Sequence, residues 1–192
     1  WLVNCEPKFK LAADLTGPLP LRLREDGFQR LFGAIVSQQL SVASADAIWK
    51  RLIDFGIVSP CSIKSASDEV LRSCGLSRQK IRYVRALAEA DVDFQSLREM
   101  DTNNIIQSLT KISGVGIWTA EIYVMFSLGR ADVFAPGDLA LQEAVKILFK
   151  LEKRPSEKEL RIRSKNWSPW RAVAARLLWA YYSRVKSREG IR

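Results

Sequence analysis

From Phe28 to Tyr182 the apolar residues recur at helical spacing, and this limits the chain to an all-α fold. Phe28, Leu31, Phe32, Ile35 and Val36 fall at i, i+3, i+4, i+7 and i+8, the stripe that a helix turns toward a core. Val42, Ala45, Trp49, Leu52 and Ile53 repeat the pattern, and Ile81, Val84 and Leu87 or Ala88 mark a helix from Arg78 to Ala90. Ile105, Ile106, Leu109 and Ile112 follow in a segment that Thr102 is placed to cap, then Ile117, Ala120, Val124, Met125 and Leu128. Ser41 is placed to cap the helix after "SQQLS", Asp138 the helix running to about Lys150, and "SEKE", Ser156 to Glu159, has the form of a capping box. Ser168 and Pro169 of "WSPW" are the expected cap and first residue of a long last helix, with Val173, Leu177 and Tyr181 as its buried stripe. No segment alternates convincingly with the period of a strand.

A chain of 192 residues is long enough for one compact domain or two small lobes. It has no histidine, which excludes imidazole acid–base catalysis, His-dependent triads and the usual zinc sites. Cys5, Cys61 and Cys74 form neither a CxxC pair nor an iron–sulfur spacing, which points to a reducing compartment and no structural metal cluster. No apolar run reaches the roughly 18 residues of a membrane span, so no membrane association is expected. The net charge is +9, and the last 42 residues hold twelve Lys and Arg against four Glu. Such asymmetry favours a polyanionic partner, most simply nucleic acid. A solvated basic tail is the plain alternative, but Trp167, Trp170, Trp179, Tyr181 and Tyr182 share that segment.

The tightest break is "SGVG" in "LTKISGVGIWTAEIY", Leu109 to Tyr123. Two helical segments are joined by a turn in which Gly114 and Gly116 bracket one valine, conformations that glycine adopts cheaply. The opening amides of the second helix and its dipole make an anion site, and glycine lets a phosphate approach the backbone closely. A sequence-independent phosphate grip is one use of such a turn; an ordinary helix–helix connection is the other.

"LTKISGVGIWTAEIYVMFSLGRADVFAPGDLAL" resembles the signature of the helix-hairpin-helix, Gly/Pro-Asp superfamily of DNA glycosylases. It has the hairpin, the following helix and a Pro-Gly-Asp turn about 20 residues on. "IVSQQLSVASADAIWKRL" and "WSPWRAVAARLLWAYY" are similar to the 3-methyladenine DNA glycosylase II branch, so the resemblance runs from about Phe28 to Tyr182. It implies two helical lobes with a cleft between them: residues 1–41 with 129–192, and 42–128. The 27 residues before Phe28 suggest a compact form, without the β-rich N-terminal domain of some relatives.

The resemblance makes Asp138 the catalytic aspartate. Cleaving an N-glycosidic bond builds positive charge on the sugar, and a fixed carboxylate can stabilise that state or orient water against it. Capping the helix at Leu139 is the plain alternative, and one residue can do both. Trp118 stands where lyase-competent relatives carry a lysine nucleophile, so no Schiff base can form there and no abasic-site lyase activity is expected. Trp118 and Trp179 are implied as the pocket for a base flipped out of the duplex. Their indole faces suit cationic N3- or N7-alkylated purines, which are good leaving groups and need no general acid. Leu40 is implied as the wedge that fills the vacated stack, with a core position as its plain alternative. Gly114, Gly116 and Thr119 are implied phosphate contacts. The backbone carbonyls of Thr110, Ile112 and Val115 are implied ligands of a monovalent cation, Na or K; catalysis itself needs no cofactor.

The chain departs from that branch at Ile122 and Leu139, both tyrosine in close relatives, which leaves lesion preference open. The expected function is hydrolysis of alkylated purines from double-stranded DNA by a monomer. Its place would be the cytoplasm or nucleoid of a bacterium, or the nucleus of a eukaryote. A non-catalytic helix-hairpin-helix module that binds DNA structure is the alternative from another class. A glycosylase for oxidised or mismatched bases is the alternative within the class.

Overall fold

The computed structural model describes residues 1–186, among which all regular secondary structure is helical, as the periodicity requires. Twelve α-helices follow in order: α1 (Leu2–Cys5), α2 (Phe9–Thr16), α3 (Phe28–Ser37), α4 (Val42–Asp54), α5 (Pro60–Ser65), α6 (Asp68–Ser73), α7 (Arg78–Glu89), α8 (Thr102–Thr110), α9 (Ile117–Phe126), α10 (Leu139–Phe149), α11 (Glu157–Ser164) and α12 (Arg171–Lys186). The chain divides into a terminal unit, residues 1–23 with those from Val124 onward, and a central unit, Arg24–Tyr123. Residues 24–41, expected with the termini, group instead with the middle of the chain. The cause is packing: α3 lies against α4 and α7, Phe32 meets Trp49 edge-on at 5.1 Å, and Lys80 Nζ donates to the Val36 carbonyl at 2.6 Å.

In the central unit α5 also packs on α7. Arg85 of α7 ties them by donating to the carbonyls of Ile63 and Ala66 and to Asp68. The terminal unit is built on an aromatic cluster. Trp167 is enclosed by Phe9 at 5.2 Å, Phe134 at 5.3 Å and Phe149 at 6.3 Å, and α2 and α10 both pack on α12. Burial of these four large rings helps hold the ends of the chain together, since each removes roughly 150–250 Å² from water.

Several local expectations need correction. Asp101 caps α8, because its carboxylate accepts the amides of Asn103 and Asn104, while Thr102 is the first helical residue. Ser168 does not cap α12; its hydroxyl is bound to Asp132 at 2.8 Å and the helix begins at Arg171. Val42, Ile53, Ile117 and Val173 are exposed. For α4 the buried face is Ala45, Ile48 and Leu52. Ser41 does cap α4, accepting from the Ser44 amide at 3.2 Å, and the Ser156 capping box forms with Glu159.

Candidate active site

The segment before α10 positions the acidic residue singled out by its motif. Asp138 N–H closes a turn onto the Ala135 carbonyl at 3.0 Å, and Gln142, buried on α10, donates to the Pro136 carbonyl at 2.8 Å. The turn is therefore pinned from inside the helix that it opens. Gly137 keeps the turn close to α11: a Cβ there would lie 3.3 Å from a Glu157 carboxylate oxygen.

Asp138 is 7% exposed. Its Oδ1 accepts two N–H groups, the Leu141 amide at 2.9 Å and the Trp179 indole Nε1 at 3.0 Å. The first bond is an ordinary N-cap. The second is not needed by any cap, and it comes from α12, forty-one residues away. Two donors on one oxygen fix the rotamer and turn an anionic group into a directed one. Trp179 is 4% exposed and lies tilted on Phe126 at 5.8 Å, so the indole is as firmly held as the carboxylate.

The helix that carries Trp179 is itself clamped. Arg171 donates through Nε to Asp132 Oδ1 at 2.6 Å and through Nη2 to the Asp132 carbonyl, and the Ala172 amide donates to Ala131. The Arg171 guanidinium, helped by Ser168, holds the Asp132 carboxyl below its usual range despite partial burial. This clamp fixes the start of α12 to the loop that ends in Pro136-Gly137-Asp138. The sequence offered one sign of it, an aspartate and an arginine at the two ends of apolar runs, and no way to pair them.

In the central unit the hairpin separates its two glycines by role. Gly114 adopts φ +93, and a Cβ there would sit 2.4 Å from the Tyr83 ring. The space around Gly116 is open. The hairpin is closed by the Val115 amide on the Ile112 carbonyl at 3.0 Å, and α9 opens with the Ala120 amide on Gly116. Thr119, expected as a phosphate contact, is 7% exposed. Trp118 is 39% exposed and Leu40 40% exposed. Gln38 Nε2 donates to the Gly114 carbonyl at 2.9 Å, which brings the Leu40 loop and the hairpin together.

The proposed cation ligands are main-chain oxygens at the end of α8. The Thr110 hydroxyl turns back to the Ile106 carbonyl at 2.8 Å, so its side chain is engaged within α8. Ile112 has one carbonyl lone pair engaged by Val115, which leaves the second. Among the described residues no group of three or more His, Cys, Asp or Glu could hold a metal ion. A carbonyl set of this kind fits a hard, weakly charged ion.

Known proteins resemble this chain in sequence and in fold. The family model of the HhH-GPD superfamily base excision DNA repair protein matches residues 32–170. DNA-3-methyladenine glycosylase 1 of Schizosaccharomyces pombe is 30% identical over 165 residues, 81% of this chain and 72% of that protein. Among solved structures, the DNA-3-methyladenine glycosidase of Bacillus halodurans superposes with a TM-score of 0.87 at 34% identity, covering 98% of this chain and 90% of the other. The S. pombe 3-methyladenine DNA glycosylase in complex with abasic DNA gives 0.79 at 29% identity, over 93% and 91%. A match that runs from α3 to the threshold of α12 takes in the hairpin and the Asp138 turn alike: the chain belongs to the HhH-GPD superfamily of base excision DNA repair proteins.

Proposed function

We propose that this protein is a monofunctional DNA glycosylase that hydrolyses the N-glycosidic bond of alkylated purines, of the 3-methyladenine and 7-methylguanine type, in double-stranded DNA. The observation that carries the reading is the doubly bonded Oδ1 of Asp138. A cap needs only the Leu141 amide. The indole bond aims a buried carboxylate, as a group that meets a developing oxocarbenium charge must be aimed. The names of the relatives and neighbours support the same chemistry and the alkylpurine class.

In this account the open side of Gly116 and the amides opening α9 hold a phosphate beside the lesion. Leu40, exposed on a short loop, enters the stack as the base leaves it. Trp118 offers an exposed indole face to the flipped base, and a cationic purine over such a face gains about 0.5–2 kcal/mol. Trp179 holds the carboxylate through its indole N–H. Departure of the neutralised base leaves positive charge on the sugar, which Asp138 stabilises while water attacks. A Na or K ion on the carbonyls of Thr110, Ile112 and Val115 would add positive charge beside the phosphate. Base release needs nothing further from it.

The protein acts as a monomer on DNA, in the nucleoid of a bacterium or the nucleus of a eukaryote. Among the described residues no helix is long and apolar enough to cross a membrane.

The test uses duplex DNA carrying one 7-methylguanine. Strand breaks that require alkali, with no borohydride-trapped covalent complex, are expected of hydrolysis without lyase chemistry. Breaks without alkali, or a trapped complex, would contradict the monofunctional reading. Tight DNA binding with no release of any alkylated base would leave a binding module.

A further inference from the structure

The loop that carries Leu40 is held in an uncommon conformation. After α3 ends at Ser37, Gln38 is extended and Gln39 turns left-handed at φ +57, before Ser41 caps α4. A non-glycine residue rarely adopts that region unless its surroundings impose it. The turn is closed locally by the Leu40 amide on the Ser37 carbonyl at 3.2 Å, and two side chains anchor the residues that lead into it. Gln38 Nε2 donates to the Gly114 carbonyl at 2.9 Å, and Lys80 Nζ donates to the Val36 carbonyl at 2.6 Å, in the last turn of α3.

Both anchors lead to one place. Lys80 and Tyr83 are neighbours on α7. The Tyr83 ring fills the space beside Gly114 so closely that a Cβ could not be added, and its hydroxyl is bonded to Gln79 at 2.6 Å. α7 therefore touches the root of the Leu40 loop and the hairpin at once. Lys80 gives up solvent for this: burial lowers its ammonium below the usual lysine range, a cost that a surface lysine would avoid by turning outward.

We propose that Gln38 and Lys80 are positioning residues that hold the Leu40 loop in fixed register with the Gly114 hairpin. Phosphate capture at the hairpin and entry of Leu40 into the stack then happen as one event. This rests on the reading of Leu40 as wedge and of the hairpin as phosphate grip given above. The physical gain is preorganisation: a loop that must be ordered anew at each encounter loses affinity for the bent, unstacked duplex. It loses none for the straight duplex, which the hairpin grips alone.

The experiment measures affinity for a duplex with a central abasic analogue and for the same duplex undamaged, with 2-aminopurine fluorescence beside the lesion reporting unstacking. The variants are Gln38→Ala, Gln38→Glu, Lys80→Met, Leu40→Ala and Gln38→Ala with Leu40→Ala, each checked by thermal melting. Gln38→Ala, Gln38→Glu and Lys80→Met should each lower the preference for the abasic duplex by roughly 3–10-fold, the effect of one lost hydrogen bond. The melting temperature should hold for all three, and binding to undamaged duplex should hold for Gln38→Ala, which leaves the charge unchanged. In the Leu40→Ala background, Gln38→Ala should cost nothing further, because Gln38 acts through Leu40. If Leu40→Ala lowers the preference and Gln38→Ala does not, or if the two effects multiply, the positioning role is wrong and the wedge stands. If Leu40→Ala itself leaves the preference unchanged, the wedge reading fails and this inference goes with it. A loss that follows a fall in melting temperature would assign Gln38 to folding alone.

Discussion

Trp179→Phe separates the two tasks given to one indole. Phenylalanine keeps an aromatic ring against Phe126, now 5.8 Å from the Trp179 ring, but removes the N–H that lies 3.0 Å from Asp138 Oδ1. The Leu141 amide remains at 2.9 Å, so the cap of α10 survives and the carboxylate loses only its second donor. A hydrogen bond to a charged group contributes about 1.5–3 kcal/mol. If that bond directs the carboxylate at the sugar, its loss slows base release by roughly 10- to 150-fold. The smaller ring also leaves a void in a buried site, at less than the roughly 3–5 kcal/mol of truncating a Trp or Phe to alanine. The assay is single-turnover release of 7-methylguanine, with enzyme in excess and well below the melting temperature of the variant. Affinity for an abasic duplex is measured in parallel and should change little. A release rate within about twofold of wild type, in a protein still dependent on Asp138, would refute the directing role of the indole.

The hairpin glycines should behave oppositely on substitution with alanine. Gly114→Ala meets the Tyr83 ring and a positive φ, so differential scanning should show a marked loss of stability; Gly116→Ala meets open space and should melt as wild type while duplex affinity falls. Equal melting temperatures for the two would contradict this division. Tyr123 gives a prediction in alkali. Burial pushes its phenol up to about 12 while the hydroxyl accepts the Gly27 amide at 3.0 Å. An unfolded tyrosine ionises near ~10. The neutral phenol therefore stabilises the fold fully below that pH, and the contribution, at most about 3 kcal/mol, is lost as pH rises through the folded value. Denaturant midpoints should place wild type above Tyr123→Phe at pH 8 and bring the two together toward pH 12; a constant difference would show that the phenol does not titrate with unfolding.

The sequence revealed what is local. Helical class followed from the 3.6-residue period, and the caps Ser41, Asp138 and Ser156 from one polar residue before an apolar run. Where a helix is buried on nearly every side, the stripe disappears and its orientation with it. That is why Val173 is exposed on α12, whose buried residues include Ala172, Ala174, Ala175, Leu178 and Trp179, and why Ile117 is exposed on α9. Thr102 lost the cap position to its neighbour Asp101, since either side chain suits it. The motifs brought Asp138, Trp179, Leu40 and the hairpin to attention, but not the bonds between them. Trp179 to Asp138, Gln38 to Gly114 and Lys80 to Val36 join residues 41, 76 and 44 positions apart. Such pairs depend on how helices pack, and periodicity carries no record of that. Gln142 stands beside Glu143 in α10 with nothing in the sequence to mark it, yet it is buried where it holds the Pro136 turn.

Base release depends above all on Asp138. Asparagine in its place keeps an oxygen that can accept the Leu141 and Trp179 donors, so the N-cap and the fold should persist, with a melting temperature close to wild type. It removes the negative charge that base release requires. The measurement is single-turnover release of 7-methylguanine from duplex DNA by Asp138→Asn beside wild type, scored by alkali cleavage and paired with binding to an abasic duplex. Release reduced by roughly 100- to 1000-fold, with folding and binding retained, is the predicted result. Release at the wild-type rate would reduce Asp138 to a helix cap and contradict the mechanism.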